Sequence, residues 1–175
     1  MLRPRLLLTV GLVLFGIPTL ATSVSATSAP VPECTTNQLV LLASGWFGAA
    51  GTGAMAFDVV NQGARCRIGG YPNVTFLNAS ALAVDSHDVH VSSMLFAEPR
   101  TVTLTLARGG VATFGVSWAD NPIGNQTCPA TARALVELRQ GVGSLWGEVP
   151  INPEPCGRTL MVTPIESGAW PRPNG

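Results

Sequence analysis

The chain has 175 residues, 46% hydrophobic and 11% charged, with ten basic residues against ten acidic ones. That length supports one compact domain with a sizeable core. The balanced charge, carried on the basic side by arginine alone, leaves no basic footprint for nucleic acid.

In chain order, the first feature is residues 1–26. MLRPR carries two arginines, residues 6–20 (LLLTVGLVLFGIPTL) are apolar apart from Thr, Gly and Pro, and ATSVSA ends on Val24, Ser25 and Ala26. Charged, apolar and small-residue regions in that order read as a secretory signal peptide cut after Ala26. The apolar run contains Pro18 and is shorter than the roughly 20 residues a membrane span needs, so no stable span is expected after cleavage. Loss of Arg3 and Arg5 leaves eight basic against ten acidic residues, a net charge of −2. Residues 27–33 (TSAPVPE) and 167–175 (SGAWPRPNG) read as a flexible leader and a flexible tail around a domain at 34–166.

Four cysteines follow: Cys34, Cys66, Cys128 and Cys156. An even count in an exported chain predicts two disulfides. Of the three connectivities, Cys34–Cys66 with Cys128–Cys156 is favoured because each bond then ties neighbouring segments. No two of them lie within four residues of each other, which argues against a zinc knuckle. Arg65 and Arg67 flank Cys66 and favour a thiolate, but the compartment and the three other cysteines favour a disulfide.

Between leader and tail, short segments alternate with period two. SGWFGAAG, holding Trp46 and Phe47, is glycine-rich and reads as a loop. Met55, Phe57 and Val59 alternate with Ala54, Ala56 and Asp58. Val102, Leu104 and Leu106 alternate with threonines. Ala112, Phe114, Val116 and Trp118 alternate with Thr113, Gly115 and Ser117. Such runs predict half-buried strands with one apolar face. Residues 135–139 and 159–163 suit strands too, with a short helix over 132–140 as the alternative. Turns fall at Asn61-Gln62-Gly63, at Gly69-Gly70-Tyr71-Pro72 and at Arg108-Gly109-Gly110. Cys66 is expected to end a strand before the second of these. The pattern predicts an all-β, antiparallel sandwich of seven to nine strands, or else a small β-barrel.

The order of these features resembles the actinobacterial secreted family called domain of unknown function 4232. Its pattern starts with a Cys (here PECTTNQL), then a Gly-rich stretch leading into a strand that ends in Asn (GAAGTGAMAFDVVNQG). A Cys, a Gly and a Tyr-Pro follow (CRIGGYPNVTFL), then a strand, a Gly turn and a strand reaching Trp (VTLTLARGGVATFGVSW), and a late Cys pair. The resemblance implies an immunoglobulin-like sandwich found on exported proteins and lipoproteins. It implies no activity and transfers no functional residues. Cys34 follows Val31-Pro32-Glu33, which is not a lipobox, so free export or wall association is expected rather than a lipid anchor.

Candidate sites are few. His87 and His90, in DSHDVH, are the only histidines, and on a strand they face opposite ways; they are weak metal candidates, and no cofactor is expected. Catalytic motifs such as Gly-x-Ser-x-Gly, HExxH or a P-loop do not occur, and nothing local pairs Asp120 with Glu137. Trp46, Phe47 and Trp146 form the candidate interaction surface, Trp118 reads as core, and Tyr71 is expected to bury its ring. Asn73, Asn78 and Asn125 open Asn-x-Ser/Thr triplets, polar turn residues unless the source glycosylates them. The sequence thus predicts a non-enzymatic, secreted or cell-wall-associated module. Its partner would be a cell-envelope protein or a glycan. A glycan- or metal-binding module is the second expectation and a hydrolase the third.

Overall fold

The computed structural model describes residues 29–90, 101–122, 124–125, 127–138, 143–150 and 152–169. The expected signal peptide and Trp170 lie outside them. Among the described residues the chain is all-β: eleven strands, a short 3-10 turn at Thr36–Gln38 and no α-helix.

β1 (Leu39–Ala49) and β2 (Thr52–Asn61) form a long antiparallel hairpin. Ala50 and Gly51 at its tip both take the left-handed backbone, φ 50° and 84°, which matches the natural twist of paired strands. SGWFGAAG is therefore not a loop. Despite its glycines it continues β1 past a register shift between Ala43 and Gly45, because β2 offers a partner for each residue up to Ala49. β3 (Cys66–Gly69) follows, so Cys66 begins a strand instead of ending one. Then come β4 (Asn73–Leu77), β5 (His87–His90), β6 (Thr103–Leu106), β7 (Val111–Ala119), β8 (Arg133–Glu137), β9 (Ser144–Glu148), β10 (Cys156–Val162) and β11 (Glu166–Ser167). The strand count exceeds the seven to nine expected because β3, β5 and β11 are too short to show a period in the sequence.

One sheet runs β1-β2-β7-β10-β5, with β11 also on β7; a second runs β4-β8-β9; β3 and β6 make a two-stranded ribbon. All pairs are antiparallel except β10 with β5. Phe57 and Phe114 are cross-strand partners whose rings stack at 5.3 Å. Phe76 of β4 meets Trp118 of β7 edge to face at 5.6 Å. Gly147 of β9 packs so closely on β1 that a Cβ there would lie 2.9 Å from Leu41 Cδ2. The three-stranded sheet thus lies over the face of the larger sheet that carries the period-two residues, and the core sits between them.

Three expectations change. β2 and β7 are buried on both faces, not one: Ala54, Ala56, Thr113 and Ser117 are as inaccessible as Phe57 and Phe114. The second register alternates large with small, not apolar with charged, and small side chains tolerate burial. Val102 precedes β6 and stays 45% exposed. The strand expected at 135–139 is present but runs over 133–137, and Leu135 faces outward from it, with Ala134 and Val136 turned to the core.

The disulfides join Cys34 to Cys66 and Cys128 to Cys156 across Cα separations of 4.8 and 4.5 Å. The first binds the leader to β3. Pro32 accepts a hydrogen bond from the Arg67 amide at 2.8 Å, and Glu33 pairs with the Arg67 guanidinium at 2.8 Å, so the two residues before Cys34 lie along β3. At the other end Ser167 pairs with Ala112 in β11.

Candidate functional site

Trp46 and Phe47 are neighbours on β1 and so project to opposite faces of the sheet. Trp46 lies opposite Met55 on the core side, but beyond the reach of the covering sheet, and is 56% exposed. Phe47 lies opposite Ala54 on the other face and is half-buried. Trp146 stands on the outer face of the three-stranded sheet, opposite Leu135, 59% exposed. The three residues do not form one patch.

Trp46 does line a cleft of about 130 Å³ together with Gly53, Trp118, Asp120, Asn152, Pro153 and Glu154. Its floor is glycine. Gly48 and Gly53 are cross-strand partners, and a Cβ on Gly53 would fall 2.7 Å from the Trp118 ring. Its rim is held firmly. The Asp120 amide donates to Gly51 O at 3.0 Å, and Thr131 donates both its amide (3.0 Å) and its hydroxyl (2.7 Å) to Pro153 O. Cys156, bonded to Cys128, pairs with Ala119 beside them.

The histidines behave differently. His87 Nε2 lies 3.4 Å from Thr159 Oγ1, while His90 stacks on Tyr71 at 4.8 Å with rings nearly parallel. Tyr71 is half-buried, with its ring against that of His90. No group of three or more His, Cys, Asp or Glu side chains converges among the described residues. Tyr71 and His90 line an open groove of about 670 Å³ with Glu33, Asn73 and the Thr103 end of β6. Between the histidines, Asp88 accepts a hydrogen bond from the Val74 amide, and its other oxygen is buried without a partner. Burial pushes this carboxyl above its ordinary range; the Val74 hydrogen bond, His90 and His87 pull it part of the way back. Burial likewise raises Glu166. Asp120 and Glu137 have different neighbours: Asp120 borders the Trp46 cleft, whereas Glu137 accepts from Ser144 at 3.4 Å.

The family model described as "Domain of unknown function (DUF4232)" matches residues 34–166. The chain belongs to that family. No curated protein and no solved structure matches it. In this DUF4232 chain the CRIGGYP stretch is a structural corner. Cys66 is bonded to Cys34, Gly70 turns the chain at φ 87°, and its carbonyl accepts the Ile165 amide at 2.9 Å. The Asn that ends β2 is a hub. Buried Asn61 donates from Nδ2 to the carbonyls of Ala64, Leu106 and Ala107 and accepts the Gly63 amide.

Sequence reasoning placed Asp88 only within the DSHDVH cluster and weighed Asp120 only against Glu137; it missed Glu154 and the hub role of Asn61. Asn61 carried a turn signal only. Asp120 and Glu154 carried none, because they reach Trp46 through strand order and not through spacing. Among the described residues no helix is long and apolar enough to cross a membrane.

Proposed function

We propose that this chain is an exported, immunoglobulin-like β-sandwich that works outside the cell as a non-enzymatic interaction module. The observation that carries this reading is the exposure of Trp46 and Trp146, 56% and 59%, on a framework braced by two disulfides. Indoles of that size are ordinarily covered, and where they are not they anchor partners. Two disulfides fit an oxidising compartment, and the N-terminal residue pattern supplies the route there. The packing of the three-stranded sheet on the larger one, with β1 and β9 in contact, supports a two-layer sandwich. We read the source as actinobacterial and the destination as the medium or the cell wall.

Affinity capture from envelope and culture-fluid extracts tests this. Wild-type protein is expected to retain a partner that Trp46→Ala or Trp146→Ala loses. Equal capture by the double variant contradicts the reading. N-terminal sequencing of the exported product, expected to begin at Thr27, tests the export step.

The groove at Tyr71 and His90 favours a second reading, a module that binds a glycan or a metal ion. Its volume falls within the roughly 300–1,000 Å³ of small-ligand sites. Thermal-shift measurements with cell-wall oligosaccharides and with zinc or copper test it, and no shift with any of them removes it.

A further inference from the structure

The Trp46 cleft combines three things that bear on one kind of ligand. The first is an uncovered indole face. The second is negative charge: Asp120 and Glu154 are both exposed at its rim, and neither is in an ion pair, the described pairs being Arg67–Glu33, Arg133–Glu148 and Arg158–Asp85. The third is a glycine, Gly48, that both groups approach. A methyl group built on Gly48 would sit 3.3 Å from Thr52 O, 3.9 Å from Asp120 Oδ2 and 4.0 Å from Trp46 Cζ2, so carboxylate and indole approach the same glycine.

Size decides among ligands. At about 130 Å³ the cleft is well below the roughly 300–1,000 Å³ that encloses a small molecule. It admits the end of one side chain and leaves the rest of the partner outside. An indole face attracts a cation, and a planar guanidinium can lie flat on the ring while its N–H groups reach a carboxylate. A neutral sugar would leave both carboxylates without a counter-charge, and an acidic group would be repelled by them. The parts are also set in advance. Trp118 wedged over Gly53, the Thr131 hold on Pro153 and the Cys128–Cys156 bond fix the backbone beside Asp120 and Glu154 before any ligand arrives, which lowers the ordering cost of binding.

We infer that the Trp46–Asp120–Glu154 cleft receives an arginine side chain of a protein partner. The inference rests on the interaction-module reading for the existence of that partner and adds the chemistry by which one end of the domain recognises it.

The test is an NMR titration of the oxidised, isotope-labelled protein with acetyl-Gly-Arg-Gly-amide. Parallel titrations use the citrulline analogue, which keeps the shape without the charge, the lysine analogue and methyl glucoside. The arginine peptide is expected to shift the Gly48 and Gly53 amides and the Trp46 indole, the lysine peptide to do so more weakly, and the other two to leave them unmoved. Asp120→Asn and Glu154→Gln, both at exposed positions, are each expected to weaken arginine binding by up to about fivefold, and added salt to weaken it further. Absence of shifts with the arginine peptide overturns the inference. So does equal binding of citrulline or glucoside, or indifference to both carboxylate variants. The two failures are separable. Capture lost in Trp46→Ala without arginine binding rejects the cleft's chemistry and keeps the module. Arginine binding with capture unchanged in the Trp46 and Trp146 variants keeps the cleft and rejects the module.

Discussion

The carboxylate of Asp88 on β5 accepts the backbone N–H of Val74 on β4, a strand in the other sheet. β4 pairs with β8 along one edge, so this carboxylate satisfies an amide that the sheet itself leaves over. The second Asp88 oxygen, buried and unpartnered, shows the cost of placing a charge there.

A pH dependence follows. Burial raises the folded Asp88 pKa above its unfolded value, so the folded protein holds this proton more tightly than the unfolded chain does. The contribution of Asp88 to stability is therefore fully present below the unfolded value of 3.8 and is lost as pH rises through the folded one. Glu166, also raised by burial, adds a slope of the same sign. In Asp88→Asn the amide oxygen can still accept from Val74, and the fall in denaturation midpoint above pH 4 is expected to shrink, with the Glu166 part remaining. An unchanged pH profile in that variant would show that Asp88 does not titrate in the way described.

Asn61 holds β2, the turn after it and the end of β6 at one buried point. Asn61→Ala removes the side-chain partner of the Gly63 amide and of the Leu106 carbonyl, while Ala107 O keeps the Gly110 amide and Ala64 O keeps Gln38 Nε2, and is expected to lose about 1–3 kcal/mol in urea unfolding. Asn61→Asp is expected to lose more at neutral pH, because a carboxylate cannot donate to carbonyl oxygens and would be repelled by them. A loss below about 0.5 kcal/mol, the level of an ordinary surface change, would contradict the hub.

Gly53 and Gly70 are glycines for different reasons. At Gly53 the obstacle is the rigid Trp118 ring, itself pinned by Phe76, so Gly53→Ala is expected to lose about 1–3 kcal/mol and to perturb near-ultraviolet indole signals. At Gly70 the space is open but φ is 87°, so Gly70→Ala is expected to lose about 1–2 kcal/mol with those signals unchanged. The near-ultraviolet spectrum separates the two.

The disulfides close loops of similar length, with sequence separations of 32 and 28. Removing either pair by Cys→Ser substitution is expected to lower stability by about 3–4 kcal/mol in the chain-entropy description. Without Cys34–Cys66, the hydrogen bond between Pro32 and the Arg67 amide is expected to exchange with solvent first. Without Cys128–Cys156, the Thr131 amide should be the one exposed. Hydrogen exchange at Arg67 and Thr131 reads the difference.

Much of this was legible in residue order. Alternation in 55–59 and 112–118 marked β2 and β7, because a strand repeats every two residues whatever lies around it. An even cysteine count signalled two disulfides, and Trp118 read as core. Local order misjudged SGWFGA, where glycine suggested a loop but strand pairing with β2 prevailed, and Val102, whose alternation began before the start of its strand. Only the tertiary structure set Trp46 and Phe47 on opposite sides of a sheet, turned Trp146 outward and brought Asp120 and Glu154 to the Trp46 indole. Periodicity and composition act between near neighbours along the chain. The cleft joins the start of the domain to its end, and what brings those segments together is the order of strands in the sheet, which long-range hydrogen bonding and burial decide.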